Sequence, residues 1–245
     1  MNDTIRQLQS HRSIRKFTDE AIPTALLHEL IGAGQGAATS SFLQGTTIIR
    51  VTRPEVRQQF VELAGGQAYI GTAPEFLVFC ADLRRSSNCC EMHGKQFSQG
   101  MTEHFMIATI DVALFAQNVV VAAESAGLGI CYIGGIRNNP QLAADLLELP
   151  DNVYPVFGLC LGHPAQDPEV KPRLPVDIVL KQDVYNDAID PAVIAEYDET
   201  VRAYYQSRTG NPREASWSEQ MSGLLGKESR PHMRDFLAKR GFTMR

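Results

Sequence analysis

Apolar positions along this chain fall into two rhythms. Thr46 to Thr52, Glu75 to Ala81 and Val153 to Gly162 are β-branched or continuously apolar runs of strand length, whereas Leu26, Leu27, Leu30 and Ile31 recur at helical spacing. The pattern predicts a helix over residues 3–10 and a second that opens with Thr24 as its N-cap behind Pro23. A strand follows from Thr46 to Thr52, then a helix that Pro54 opens and that runs through Leu63, then a strand from Glu75 to Ala81. A long helix is expected from Thr102 to Ala126, ended by Gly127, with a short strand from Gly129 to Gly135 running into a turn. Pro140 starts a helix through Leu147, and Val153 to Gly162 is a strand. Prolines are too dense between Pro164 and Pro175 for a ladder, so that stretch reads as loop.

Beyond Asp177-Ile178-Val179-Leu180 the pattern turns polar. Tyr197 to Arg208, Trp217 to Leu225 and Pro231 to Lys239 read as three helices with too few large apolar residues for a core of their own. They are expected to pack on the main body or on a second chain. The domain reading is a core over residues 1–180 and a C-terminal helical extension over 181–245, one domain overall. Strands and helices mix without strict βαβ alternation, which points to α+β rather than to a doubly wound sheet.

The 245 residues suffice for one full core, and a net charge of -5 argues against a nucleic-acid partner. The longest apolar stretch, Phe105 to Ala126, carries Asp111, Gln117, Asn118 and Glu124 and so reads as a buried helix, with no membrane association expected. The first residues show no basic region followed by an apolar core, so no secretory signal is expected. Five cysteines lack metal or redox spacing: Cys80, Cys131 and Cys160 sit in apolar strands, Cys89 and Cys90 in a polar segment. The cytoplasm is the expected compartment.

Candidate chemistry lies in four separated pieces. His11-Arg12-Ser13-Ile14-Arg15 gathers two guanidiniums, an imidazole and a hydroxyl at the end of the first helix. Such a turn is either a solvated basic surface or a phosphate grip, because arginine binds phosphate bidentately and keeps its charge when desolvated. Ser40-Ser41-Phe42-Leu43-Gln44 lies between a helix and a strand, with Gly65-Gly66-Gln67 on a later loop. In Cys131-Tyr132-Ile133-Gly134-Gly135-Ile136-Arg137-Asn138 the paired glycines let backbone approach a flat ligand. Lys171-Pro172-Arg173-Leu174-Pro175 holds two cations on a proline-stiffened loop. Gly32-Ala33-Gly34-Gln35-Gly36 has the wrong spacing and context for a dinucleotide fingerprint, and nothing matches a P-loop, a G-x-S-x-G elbow or a zinc site.

In order, the segments H-R-S-I-R-x-F-T-D-E, S-S-F-L-Q, G-G-Q, Y-I-G-G-I-R-N-N, F-G-L-C-L-G, K-P-R-L-P, and W-S followed by K-E-S-R-P run over nearly the whole chain. Together they resemble the nitroreductase family, in particular its group A of oxygen-insensitive NADPH nitroreductases and NADPH-flavin oxidoreductases. The resemblance implies a mixed, mostly antiparallel central sheet surrounded by helices, in an intertwined homodimer with FMN bound at the subunit interface. It implies that His11, Arg12 and Ser13 hold the FMN phosphate, completed by Lys171 and Arg173, and that Arg15 lies by the flavin pyrimidine and tunes its potential. Ser40, Ser41 and Gln67 would meet the flavin's polar edge or ribityl chain, and Tyr132, Ile133, Gly134 and Gly135 would cover one face. Phe42 is the expected wall for planar acceptors, and Arg208 and Arg213 the grip on the NADPH 2′-phosphate, with Arg137 also a substrate or coenzyme contact. Pro212 before Arg213 departs from the family pattern. The implied activity is ping-pong two-electron transfer from NADPH to nitroaromatics and quinones, with no side chain serving as catalytic acid or base. The alternatives are an NADPH-dependent FMN reductase that supplies reduced flavin, and a flavin-binding sensor or carrier.

Overall fold

The computed structural model describes residues 2–210 and 212–245. The elements run α1 (Asp3–Gln9), α2 (Thr24–Gln35), a 3-10 turn (Ser40–Phe42), β1 (Thr46–Arg50), α3 (Pro54–Leu63), α4 (Tyr69–Thr72) and β2 (Glu75–Asp82). They continue through α5 (Arg84–Met92), α6 (Thr102–Ser125), β3 (Gly129–Ile133), a second 3-10 turn (Gly134–Asn138), α7 (Pro140–Leu146) and β4 (Val153–Gly162). The last four are α8 (Val176–Val179), α9 (Asp190–Ser207), α10 (Trp217–Leu225) and α11 (Met233–Lys239). The chain divides into two units. The first comprises the segment ending at Gln9, Ser13–Gln166 and Arg230–Arg245; the second comprises Ser10–Arg12 and Asp167–Ser229.

In the first unit four antiparallel strands lie in the order β1-β2-β4-β3. β2 is buried at every residue and β4 at all but Phe157. Strands covered on both faces read as continuous apolar runs rather than as alternation, which is the pattern these segments carry. Phe76 faces Phe60 of α3 at 5.4 Å, while Phe79 faces Phe115 of α6 at 6.4 Å, so α3 and α6 cover opposite faces. The second helix closes on α6 through Gly34, where an added Cβ would lie 2.3 Å from the Phe115 ring. Gly34 alone of the three glycines in Gly32–Gly36 provides that approach, since an added Cβ at Gly32 meets nothing within 4 Å. By length and composition α6 is apolar enough to cross a membrane. It buries Ala108, Val112, Ala116, Val119, Val120 and Ala123 and leaves Met106, Ile110 and Leu114 exposed.

The α+β class holds, with differences in detail. The sheet is antiparallel throughout; among the described residues the one parallel pairing is the isolated bridge Ser13–Ile130. Thr24 is not an N-cap: it is the first helical residue, Pro23 occupies the cap, and no side chain caps it. β1 ends at Arg50 rather than Thr52, before the chain turns into Pro54, and β3 ends at Ile133 because the glycine pair coils into a 3-10 turn. Helices α4, α5 and α8 were absent from the pattern; α4 and α8 are single turns, and α5 (Arg-Arg-Ser-Ser-Asn-Cys-Cys-Glu-Met) buries only Ser87. The ninth helix begins at Asp190, seven residues before the expected Tyr197, with proline in its first turn where the missing N–H costs nothing.

The tail also differs. In the second unit Tyr197, Val201 and Tyr205 form a small buried cluster with Leu174, Tyr204, Ala215 and Trp217 against it, so aromatic rings supply the core that aliphatic residues do not. A capping box starts α10, with Glu219 N–H donating to Ser216 Oγ at 3.2 Å and Ser216 N–H to Glu219 at 2.9 Å. The eleventh helix instead puts Phe236 and Leu237, with Phe242 beyond it, into the large core of the first unit.

Phe79 is fully buried and touches Phe115 and Phe157. Phe79→Ala should cost about 3–5 kcal/mol through lost contacts and a cavity, read as a lower urea midpoint with an unchanged m-value.

Candidate active site

The His11–Arg15 turn crosses from one unit to the other. In the first unit, Ile14 N–H donates to the Ile130 carbonyl at 2.8 Å and Ser13 bridges Ile130, so the turn runs along the free edge of β3. Extended backbone alternates its side chains, which buries Ile14 and leaves Arg15 exposed. Arg15 acts on Tyr69 and Cys131. Burial pushes both groups up, and the guanidinium opposes the shift in each. Tyr69 donates its hydroxyl to Gln67 Oε1, and Gln67 Nε2 donates to the Ala64 carbonyl at 2.8 Å. Gln67 is thereby fixed at both ends of its amide.

Gly135 closes this cluster. An added Cβ there would lie 2.6 Å from Gln67 Nε2 and 2.8 Å from the Ala64 carbonyl, and one at Gly134 would lie 3.2 Å from Arg137 Nη2. Ile133 is fully buried. Tyr132 and Cys131 project to opposite faces of β3, and the Tyr132 ring packs edge-on against Phe157 at 5.1 Å. Burial pushes the Tyr132 phenol up to about 12. The Arg137 guanidinium donates to the Val156 carbonyl at 2.6 Å and is lowered by burial and by Arg230. Arg230 itself holds Asn138 Oδ1 through Nε at 3.1 Å and Nη2 at 2.9 Å. Ser40, Ser41 and Phe42 occupy a separate exposed turn, with Ser41 and Phe42 at φ of 49° and 58°.

In the second unit His11 and Arg12 are half-buried. Arg12 donates to the Ser10 carbonyl at 3.0 Å and pairs with Asp167, while its buried Nε has no partner. The K-P-R-L-P loop is held from α9: Tyr197 donates its hydroxyl to the Pro172 carbonyl at 2.8 Å, and Leu174 packs on the aromatic cluster. Arg173 draws on the Tyr197 phenol electrostatically. Three cations collect on the Tyr205 ring, with Arg213 at 4.2 Å, Arg208 at 4.7 Å and Lys171 at 5.3 Å from its centroid. The Tyr205 hydroxyl donates to Gln220 Oε1 at 3.0 Å, which also accepts from Arg213. Burial raises the Tyr205 phenol, but Lys171 and Arg213 outweigh it and the net shift is downward. Pro212 does not carry Arg213 away from Arg208.

Among the described residues no group of His, Cys, Asp and Glu could hold a metal ion, and all five cysteines are free. The nitroreductase family model matches residues 8–163, and the model of that family's C-terminal domain matches residues 171–245. The chain is 43% identical over 245 residues to an oxygen-insensitive NADPH nitroreductase of Salmonella typhimurium, covering 100% of both chains. It is 44% identical over 245 residues to an NADPH-flavin oxidoreductase of Vibrio harveyi, again covering 100% of both. The solved structure of the NADPH:FMN oxidoreductase from Vibrio harveyi complexed with NAD+ matches with a TM-score of 0.91 at 42% identity, over 100% of each chain. The chain belongs to the nitroreductase family.

Three residues that contact the candidate side chains or their loops are not singled out by the sequence motifs. Tyr69 stands two residues beyond Gln67, so the G-G-Q loop carried its signal. Tyr205 is hidden among polar tail residues, and only its spacing from Tyr197 and Val201 on one helix face marks it. Asp111 is a carboxylate inside an apolar helix, where the sequence marks it only as an interruption of a membrane-length run.

Gly135→Ala should displace Gln67 and the Ala64 turn, because the contacts at 2.6 and 2.8 Å are shorter than Cβ atoms tolerate. Strain of this kind costs about 1–3 kcal/mol, and thermal unfolding against a Gly32→Ala control, which meets nothing within 4 Å and like Gly135 carries no left-handed backbone cost, checks it.

Proposed function

We propose that this chain is an FMN-dependent NADPH oxidoreductase that passes two electrons to nitroaromatics, quinones or free flavin, with donor and acceptor taking turns in one pocket. The observation that carries the reading is the buried Nε of Arg12, a guanidinium N–H with no acceptor inside a turn of the family's phosphate motif. Buried donors are otherwise paired almost without exception, and a phosphate oxygen is the acceptor this one suits. Gly135, where a Cβ would meet Gln67 and Ala64, lets this turn pack directly against the loop that carries Gln67.

By the family pattern His11, Arg12, Ser13, Lys171 and Arg173 hold the FMN phosphate, and Ser40, Ser41 and Gln67 its polar edge and ribityl chain. Tyr132, Ile133, Gly134 and Gly135 contribute main chain to one face. For Tyr132 the contribution is confined to backbone by its packing on Phe157. FMN, when bound, supplies the hydride-accepting and electron-donating chemistry that no side chain here has. By the same pattern Arg15 would stabilise negative charge at the pyrimidine end, which favours the reduced cofactor. Gln67 is held at both ends and presents its remaining hydrogen-bonding capacity without rotamer freedom. Phe42, 79% exposed, offers a stacking wall to planar acceptors.

Arg208 and Arg213, parked on Tyr205 with Lys171, are the proposed grip on the 2′-phosphate of NADPH. A homodimer is supported by apolar side chains left in water: Ile5 and Leu8 on α1 and Met106, Ile110 and Leu114 on α6. The run Val176, Val179, Leu180, Val184, Tyr185 and Ile189 is exposed as well. The free thiols fit a reducing cytoplasm.

The purified protein should be yellow with one FMN per chain. Arg12→Ala removes a charge-assisted phosphate contact of about 1.5–3 kcal/mol, so FMN affinity, followed by fluorescence titration, should weaken on the order of 10–100-fold. A colourless protein that FMN does not reconstitute overturns the proposal.

Coenzyme choice should reside in the tail. Arg208→Ala with Arg213→Ala removes two such contacts and should raise the NADPH KM on the order of 100-fold, leaving NADH kinetics and FMN content nearly unchanged. Retained preference for NADPH in steady-state assays would move the 2′-phosphate to another site.

A further inference from the structure

One buried acid lies outside every contact assigned above. Asp111, 3% exposed, sits on α6 among alanine, valine and isoleucine. Its carboxylate turns toward the loop between α2 and β1. Oδ1 accepts the Ser40 N–H at 3.1 Å, and Oδ2 accepts the Gly45 N–H at 3.2 Å and the Thr39 hydroxyl. Thr39 Oγ1 in turn accepts the Gln44 N–H at 2.8 Å. One buried carboxylate therefore holds both ends of the segment that carries Ser40, Ser41 and Phe42.

That segment needs holding. Ser41, Phe42 and Gln44 adopt φ of 49°, 58° and 54°, and none of them is glycine or asparagine. Non-glycine residues in the left-handed region persist only where surrounding contacts over-determine them. Helix α6 has no use of its own for an acid here, since an apolar side chain would serve its packing and avoid desolvating a charge. Among the described residues the hydrogen bonds of Asp111 run to the loop, and the group is closed to solvent, so it does not meet a substrate.

We infer that Asp111 is the positioning residue of the Ser40–Phe42 loop: it fixes where Ser40 and Ser41 meet the cofactor and where Phe42 stands against a planar acceptor. The part concerning cofactor and acceptor rests on the flavin reading proposed above; the anchoring of the loop does not. Asp111 acts through Phe42 on acceptor binding, and the electron-transfer step itself is untouched once the acceptor is seated.

The test uses the full-length holoenzyme with Asp111→Asn, which keeps one acceptor oxygen and turns an N–H₂ toward donors, and with Thr39→Val, which removes the two hydrogen bonds of the hydroxyl and leaves those of Ser40 and Gly45 to Asp111 in place. Hydrogen exchange of the Ser40 and Gly45 amides should accelerate at least about tenfold in Asp111→Asn and less in Thr39→Val, while β2 and β4 keep their protection. The KM for a planar nitroaromatic should rise on the order of tenfold, with kcat at saturating acceptor changing less than about twofold. In a Phe42→Ala background Asp111→Asn should add little to that KM, because two changes on one path are not additive. Unchanged exchange at Ser40 and Gly45 overturns the anchoring. Faster exchange with an unchanged acceptor KM, or an undiminished effect in the Phe42→Ala background, overturns the action through Phe42. If Asp111→Asn does not fold, Thr39→Val carries the same readouts. A wild-type protein that binds no FMN or oxidises no NADPH defeats the functional reading alone, and exchange then still decides the anchoring.

Discussion

The burial of β2 and β4 between α3 and α6 is the constraint on which the first unit depends. Both strands have helices on each face, so almost every side chain on them is apolar, and Phe76 and Phe79, three residues apart, serve opposite faces. That leaves β1 and β3 as edges. The edge at β3 is covered by the extended Ser13–Ile14 segment, which pairs with Ile130 and so delivers Arg15 to the Gln67–Tyr69 cluster. Closing a sheet edge and placing the Arg15 cation are one event here.

Several cations in both units lean on groups other than carboxylates, although Arg12 pairs with Asp167. Arg137 leans on a peptide carbonyl, Arg230 on an asparagine amide, and Arg208, Arg213 and Lys171 on one tyrosine ring. A carboxylate partner would neutralise the charge that an anionic ligand needs, whereas a ring face or a carbonyl orients a guanidinium and leaves its charge available. Tyr205 is the clearest case: its phenol is shifted downward by cations that outweigh its burial. The same economy explains why the second unit has an aromatic core. Rings bury area in a polar tail and simultaneously seat arginines.

Much of this was legible in the chain. The strand Val153–Gly162 and the helices Pro54–Leu63 and Trp217–Leu225 occur where pattern and punctuation put them, because two-sided burial, proline at the first helical position and a capping box are all local statements. The ordered motifs from H-R-S-I-R to K-E-S-R-P identified the family. A net charge of -5 argues against a nucleic-acid partner, and the helical context of Gly32–Gly36 argues against a dinucleotide loop.

Tertiary structure decided what local pattern does not encode. Which face of β3 carries Tyr132 depends on register, and register turns its ring to Phe157 while Cys131 shares the other face with Arg15. The tail divides between two cores, since Phe236 and Phe242 find the large one and Tyr197 and Tyr205 build another, a choice made by long-range packing. Asp111 reads in the sequence as an interruption of an apolar helix and becomes, in three dimensions, the anchor of a strained loop about seventy positions earlier in the chain. Periodicity reports which residues leave water, because burial has the period of the element. It does not report which buried group meets which distant backbone, because that contact exists only once the elements have packed.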